Sequence, residues 1–142
     1  MLFKALTTPD EWAWFTSRTN TIACADSQGI IVEREGVIQA AAVFDSFTRT
    51  ACNVHFAIDN PMVIRHGFIH EITRHAFFAL NRVRIFGLVC STNSKSLRLV
   101  RHIGMTEVAR VPNAIDEGID YIVHELTMAH ECKFLPIKKE AA

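Results

Sequence analysis

The apolar pattern between Arg84 and Met105 predicts a buried strand followed by an amphipathic helix. Residues 85–90 are almost wholly apolar, as in a strand that is covered on both faces of a mixed or parallel sheet. Asn93 stands where its side-chain oxygen can cap the next helix, and Gly104 is a residue type that ends helices. Because a helix start presents free N–H groups to the crevice beyond a strand, this stretch predicts a ligand-binding edge of a sheet.

The rest of the chain alternates between strand and helix patterns. A hydroxyl at Thr8 followed by Pro9 and two acids predicts a first helix, which we expect to continue in broken form through residues 17–28. Strands are predicted over 2–6, 30–34, 37–47, 51–59, 85–90, 106–111 and 119–127, with a helix over 67–80 and a loop over 112–118. The second to fourth strands follow one another through short turns, so we expect them to be antiparallel.

Composition favours a single globular domain, which we place at residues 1–128 with a tail at 129–142. The chain is 49% apolar, and its fifteen basic and fifteen acidic residues balance. A balanced charge gives no direct evidence for a nucleic-acid or membrane partner. The four cysteines form no Cys-x-x-Cys pair and the chain begins without a basic segment and apolar run, so we expect a cytoplasmic protein.

Residues 93–105, NSKSLRLVRHIGM, fit the pattern Asn-x-x-(Ala/Ser)-x-x-Leu-x-x-x-x-Gly-Phe at Asn93, Ser96, Leu99 and Gly104, with Met105 in place of Phe. With the element order, this segment resembles the GNAT superfamily of acetyl-CoA-dependent N-acetyltransferases. The nearest types are short ribosomal-protein-acetyltransferase-like members and phage or prophage members. The resemblance implies an α/β (α+β), three-layer fold. Its mixed sheet has six to seven strands, the fourth and fifth splayed apart, and helices on both faces.

The resemblance also implies acetyl-CoA as co-substrate, held in the cleft between the splayed strands. It assigns cofactor contacts to Phe56, Ala57 and Ile58 on the fourth strand, to Arg65, His66, Gly67 and Phe68 around the next helix start, and to Asn93, Ser96 and Arg98. The loop before that helix departs from the family's glycine-rich pattern. Only Gly67 is kept, and Arg65 stands in the place of the other glycine.

For the chemistry, His55 and Asp59 on one face of the fourth strand are the candidate catalytic bases. Histidine titrates near neutral pH, which suits the acceptance of a proton from an amine. The alternative for His55 is a partly buried strand histidine that a neighbour satisfies, and Glu33 is a weaker candidate base or amine anchor. Direct attack of the amine in a ternary complex needs no covalent intermediate on the enzyme.

The proton donor is the weak point of the resemblance. The family usually places a tyrosine at the eighth position of the Asn motif, where this chain has Val100. Ser94 and Ser96 are weak substitutes, water is an alternative donor that can suffice, and spacing alone assigns no role to Tyr121. These departures leave a second hypothesis open, a catalytically silent GNAT-fold protein used for binding or assembly.

The acceptor and the assembly state stay open at this level. A protein N-terminus, a lysine, a polyamine-like metabolite or a modified nucleobase would each supply an amine, and a homodimer is compatible with the sequence. We expect no metal site, because the intervals between His124, His130 and Cys132 match no zinc pattern. Two other clusters are predicted to have structural roles only. We expect a solvated helix face for His70, Glu71, Arg74 and His75, and a place in the hydrophobic core for Phe68, Phe77 and Phe78.

Overall fold

The computed structural model describes residues 1–128 of the 142-residue chain. Seven strands form one mixed sheet in the order β1-β2-β3-β4-β5-β7-β6. The elements are β1 (Leu2–Ala5), α1 (Pro9–Thr16), β2 (Gln28–Arg34), β3 (Val37–Asp45), β4 (Ala51–Ile58), α2 (Phe68–Arg74), β5 (Arg84–Cys90), α3 (Ser94–Ile103), β6 (Thr106–Asp116) and β7 (Ile119–Thr127). The predicted tail, 129–142, lies outside the described residues.

The sheet separates two apolar clusters, which explains why helices cover both of its faces. On one face, Phe15 of α1 is fully buried against Ile31, Val43 and Ala57. On the other face, α2 and α3 pack on the alternate positions of the same strands, including Phe44 and Val54. Burial of each such side chain contributes about 1.5–3 kcal/mol. The predicted α/β class, three-layer arrangement and seven-stranded mixed sheet are confirmed.

The predicted separation of the fourth and fifth strands is also confirmed. β4 and β5 are parallel and pair only at their beginnings, and the last pair is Asn53 with Phe86. Beyond that pair, β4 continues against β3 as far as Ile58, while β5 continues against β7 as far as Cys90. Backbone groups on the facing sides of the two strands therefore lose their sheet partners and border an open cleft.

The prediction of a broken helix over residues 17–28 is wrong. α1 ends at Thr16, and an irregular loop runs from Ser17 to β2. The hydroxyls of Ser17 and Thr19 donate to the backbone carbonyls of Trp14 and Phe15, at 2.9 and 3.2 Å. Such side-chain bonds compete with helix continuation, so the loop is free to turn toward the sheet.

The predicted loop at residues 112–118 is also wrong, because β6 extends to Asp116 and only Glu117 and Gly118 form the turn. A proline such as Pro112 disfavours a strand only where neighbouring strands are hydrogen-bonded on both sides of that strand. Among the described residues, β6 pairs with β7 alone and forms an edge of the sheet, where a proline is tolerated because no second strand needs its N–H.

The predicted helix over 67–80 changes character midway. A 3-10 turn, Pro61–Ile64, precedes α2. A π-helical turn, His75–Ala79, follows it. The extra residue in a π turn rotates the side chains that follow it. Phe78 is consequently 48% exposed and is not core, whereas His75 is half-buried with its ring 5.1 Å from that of Phe44. Burial lowers the pKa of His75, which is not part of a solvated face.

Candidate active site

A cleft of about 570 Å³ opens where β4 and β5 separate. Its walls come from the loop after α1, the end of β3, the middle of β4, the end of β5, the start of α3, and the β6–β7 hairpin. The lining residues that carry polar groups include Arg18, Thr19, Asn20, Thr21, Asp45, Ser46, Asn53, His55, Cys90, Asn93, Ser96 and Tyr121. Several of these polar side chains point toward a shared space, as in small-molecule binding sites.

His55 lies on the cleft wall that β4 forms, and Asp45 holds its ring. The Nε2 atom of His55 is 2.9 Å from Oδ1 of Asp45, and the two side chains are 26% and 10% exposed. An ionised carboxylate only accepts hydrogen bonds, so this contact places the proton of the neutral ring on Nε2. Nδ1 then carries the lone pair, and His55 is equipped to accept a proton through that atom.

Asp59 is engaged by a different partner. Arg18 donates from Nε and Nη2 to the two carboxylate oxygens of Asp59, both at 2.9 Å. The guanidinium also lies over the ring of Trp14, 4.0 Å from its centroid. A bidentate pair of this kind fixes orientation. It ties the loop after α1 to the end of β4 and so positions the wall formed by residues 19–22.

The start of α3 forms another wall. Asn93 caps the helix as predicted, since its Oδ1 accepts from the N–H of Ser96 at 3.1 Å. At the adjoining end of β5, the Sγ of Cys90 lies 3.1 Å from the Oγ1 of Thr92. The hydrogen bond from the Thr92 hydroxyl, helped by backbone N–H groups of Thr92 and Asn93, lowers the pKa of Cys90.

Some of the other residues that we assigned to cofactor contacts are exposed, and others are buried in the core. Phe56 lines the cleft, whereas Ala57 is buried and Ile58 packs against the core. Phe68 is fully buried, so its side chain is not accessible to a ligand. Arg98 lies exposed on α3 and is not among the residues that line the cleft.

A glycine in the left-handed conformation forms the turn before α2. Gly67 precedes the helix with a φ of +91°, and a Cβ built there would meet nothing within 4 Å. The space before the turn is therefore open, and the first N–H groups of the helical segment have no partner within it. Arg65 and His66 stand exposed beside this turn.

Three contributions to the cleft were not found from the sequence. Asp45 was missed because its contact depends on the pairing of β3 with β4, in which Asp45 lies opposite Asn53. Tyr121 lines the cleft because β7 pairs with β5 and sets it opposite Cys90. Ile22 and Ile115, from the loop and from β6, form an apolar part of the lining. The Asp45–His55 contact had a recognisable signal, a carboxylate and a histidine near the same end of adjacent hairpin strands.

Glu33 does not belong to this site. Its carboxylate lies 3.2 Å from the Nζ of Lys4, which also contacts Glu11, and it does not line the cleft. Among residues 1–128, no group of three or more His, Cys, Asp or Glu side chains is arranged to hold a metal ion. His130 and Cys132 lie outside the described residues. None of the helices within residues 1–128 has the length and apolar character that crossing a bilayer requires.

No protein-family model matches the sequence, and no curated protein is significantly similar to it. Solved structures are similar in fold. The spermidine/spermine N-acetyltransferase SpeG from Vibrio cholerae superposes with a TM-score of 0.74 at 11% identity, over 90% of this chain and 92% of that chain. A protein assigned to the GNAT family, from Desulfovibrio desulfuricans, gives 0.72 at 11% identity over 90% and 99%. The ribosomal-protein-S5-alanine acetyltransferase from Vibrio fischeri gives 0.60 at 17% identity over 74% and 62%.

These similarities define the architecture. The chain has the fold of the GNAT acetyltransferases, and the resemblance drawn from residues 93–105 is confirmed at that level. At identities of 11–17%, the likeness concerns the fold, and the activity has to be argued from the cleft.

Proposed function

We propose that this protein is an N-acetyltransferase that moves the acetyl group of acetyl-CoA to a primary amine by direct attack in a ternary complex. The observation that carries the proposal is the position of His55. Its ring stands on the wall of the cleft between β4 and β5, and Asp45 orients it. A histidine held in this way at the place where a thioester and an amine would meet is suited to general base catalysis.

We assign the cleft to acetyl-CoA, which supplies an activated thioester. Backbone groups of β4 beyond Asn53 have no strand partner on the β5 side, so an extended pantetheine arm can hydrogen-bond there as an added strand would. The open turn at Gly67 and the exposed Arg65 and His66 are suited to the pyrophosphate. Asn93 and Ser96 border the same cleft and are assigned to the arm.

The two candidate bases, His55 and Asp59, are assigned different roles because their partners differ. His55 accepts a proton from the attacking amine at Nδ1, while Asp45 stabilises the positive ring that results. Asp59, bound at both oxygens by Arg18, acts as a positioning residue for the loop wall.

The cleft also favours one kind of amine. Asp45 is the one carboxylate among the described lining residues, and His55 already engages it. A polycation such as spermidine would find no unpaired carboxylate there. Ile22 and Ile115 instead offer apolar surface beside the reacting centre. We therefore favour a peptide α-amine next to an apolar side chain, because an α-amino group, with an ordinary pKa of about 7.7–8.0, loses its proton far more readily than a lysine.

Two measurements test the proposal. Isothermal titration should show acetyl-CoA binding, and a thiol-release assay should show CoA production with peptides that begin with an apolar residue. Matched peptides with an acetylated N-terminus and an internal lysine are the controls, and spermidine is the competing acceptor. No binding at millimolar acetyl-CoA overturns the proposal. Binding without thiol release from any amine would favour the alternative of a catalytically silent binding protein.

A further inference from the structure

The place where the family's proton donor is expected holds a side chain that cannot donate. Val100 is 2% exposed and belongs to the core on the α3 side of the sheet. One of its methyl carbons, Cγ1, lies 3.7 Å from the Cβ position that a side chain at Gly87 would occupy. A thiolate that leaves a thioester takes up a proton, and a side chain positioned at the cleft can supply that proton more directly than water.

The strand pairing places Tyr121 on the same face of the sheet as His55. Cys90 lies opposite Tyr121 across β5 and β7, and Phe86 lies opposite Asn53 across β5 and β4. Side chains alternate along a strand, so Phe86 and Cys90 share a face, as do Asn53 and His55. The base and the phenol therefore stand on the same side of the sheet, on opposite sides of the gap between β4 and β5.

The hydroxyl of Tyr121 is available for a ligand. Within residues 1–128 it makes no hydrogen bond and no ion pair, although the side chain is only partly exposed and lines the cleft. Tyrosine hydroxyls that are withdrawn from water usually have a partner. A free hydroxyl in a binding cleft therefore points to a partner that arrives with the substrate.

We propose that Tyr121 is the proton donor of the acetyl transfer. The inference rests on the proposed function. The amine nitrogen forms a bond to the thioester carbonyl carbon, and the carbon–sulfur bond breaks. One proton passes from that nitrogen to Nδ1 of His55, and one passes from the Tyr121 hydroxyl to the thiolate. Solvent then takes the proton from His55 and returns one to the phenolate, so that only the amide and CoA have formed.

Tyr121→Phe tests the assignment, because the change removes only a hydroxyl that has no partner in residues 1–128. We expect kcat to fall by about 100-fold or more, with an unchanged thermal midpoint and an acetyl-CoA Kd within about twofold of the wild-type value. Tyr121 is the only tyrosine of the chain, so growth on 3-fluorotyrosine labels this phenol alone. Its more acidic phenol should move the alkaline limb of the kcat profile to lower pH, an effect that a packing role would not produce.

The outcomes separate the two proposals. If the wild type transfers acetyl groups and Tyr121→Phe retains kcat within about threefold, the donor assignment is overturned and the function stands. A large fall in kcat with no movement of the alkaline limb in the fluorotyrosine protein also overturns the assignment, because Tyr121 would then act by packing or by binding. A wild type that neither binds acetyl-CoA nor releases CoA overturns both.

Discussion

The Nε2 atom of His55 lies 2.9 Å from Oδ1 of Asp45, across the β3–β4 hairpin and close to the point where β4 leaves β5. In the hairpin, Val43 is opposite His55 and Asp45 is opposite Asn53, so the contact is a diagonal one between neighbouring pairs. It fixes both the ring orientation and the tautomer of His55. β4 thus takes part in both features: it separates from β5 to open the cleft, and its pairing with β3 brings Asp45 to the group that we assign as base.

His55→Ala should lower kcat by about 100-fold or more while the Kd for acetyl-CoA changes little, because His55 is assigned to the proton and not to the cofactor. Asp45→Asn keeps the size of the side chain but can also donate, so part of the His55 population would adopt the wrong tautomer. We expect a fall of at least about tenfold in kcat. Steady-state CoA release with parallel titration of acetyl-CoA checks both variants, and unchanged turnover in His55→Ala would remove the base assignment.

Asp59→Asn separates a catalytic from a positioning role for this carboxylate. The pair with Arg18 is largely exposed, so its loss should change the free energy of unfolding by less than about 1 kcal/mol. We expect KM for the acceptor to rise several-fold while kcat stays within about threefold, since the loop wall at residues 19–22 loses its tie to β4. Arg18→Ala should give the same result, and the double variant should be no worse than either. A fall of 100-fold in kcat for Asp59→Asn would instead make Asp59 the base.

The start of α1 should make stability depend on pH in the acid range. Backbone N–H groups of Thr8 and Thr7 donate to Glu11 at 3.0 and 2.9 Å, and Lys4 lies nearby, which lowers the pKa of Glu11 to about 2. The folded pKa is below the unfolded value of 4.5, so the stabilisation is complete above pH 4.5 and is lost as the pH falls toward 2.

Glu11→Gln should therefore cost about 1–2 kcal/mol of unfolding free energy at pH 7 and much less at pH 2. Urea titrations at both pH values measure the difference, and Asp10→Asn, an exposed change in the same turn, is the matched control. An equal cost at pH 7 and pH 2 would contradict the assigned cause.

The rates at which the cysteines are alkylated should show whether a ligand occupies the cleft. Burial raises the pKa of Cys52 to about 11, whereas hydrogen bonds centred on Thr92 lower the pKa of Cys90. In a Cys24→Ser/Cys132→Ser background, iodoacetamide at pH 8 should alkylate Cys90 well before Cys52, because the thiolate is the reactive form. Mass spectrometry of peptides gives both rates in one sample.

Saturating acetyl-CoA should slow the alkylation of Cys90, which lines the cleft, and leave the slow rate at Cys52 unchanged. Thr92→Val should slow Cys90 even without acetyl-CoA, since it removes the hydroxyl that stabilises the thiolate. Equal rates for Cys90 with and without the ligand would mean that the ligand does not occupy this part of the cleft.

The sequence predicted those parts of the fold that depend on local interactions. The strand, the Asn93 cap and the Gly104 stop all lie within one stretch, and each depends on the residue type at its own position. The sheet and its splayed strands followed from the family resemblance, which depends on the same stretch. The π turn at residues 75–79 was not predictable, because the spacing of apolar residues there is compatible with a regular α-helix.

The site was predicted less completely, because it depends on strand partners far apart in the chain. His55 was found as an unusual residue on an apolar strand, but Asp45 is recognised only once the register of β3 and β4 is known. The position of Tyr121 in the cleft depends on the pairing of β5 with β7, in which Cys90 and Tyr121 lie opposite each other although they are 31 positions apart in the sequence. A strand pattern shows that residues alternate but not which strand becomes the neighbour.

Within residues 1–128, β6 is an edge strand with no strand paired on its outer side, and all eleven of its residues are exposed. Such an edge can recruit strands from other molecules and begin aggregation. Pro112 interrupts its row of backbone donors, and Glu107, Arg110 and Asp116 place charges along it. The proline that argued against a strand in the sequence is thus compatible with an edge strand, and Pro112→Val should increase aggregation without changing a residue that lines the cleft.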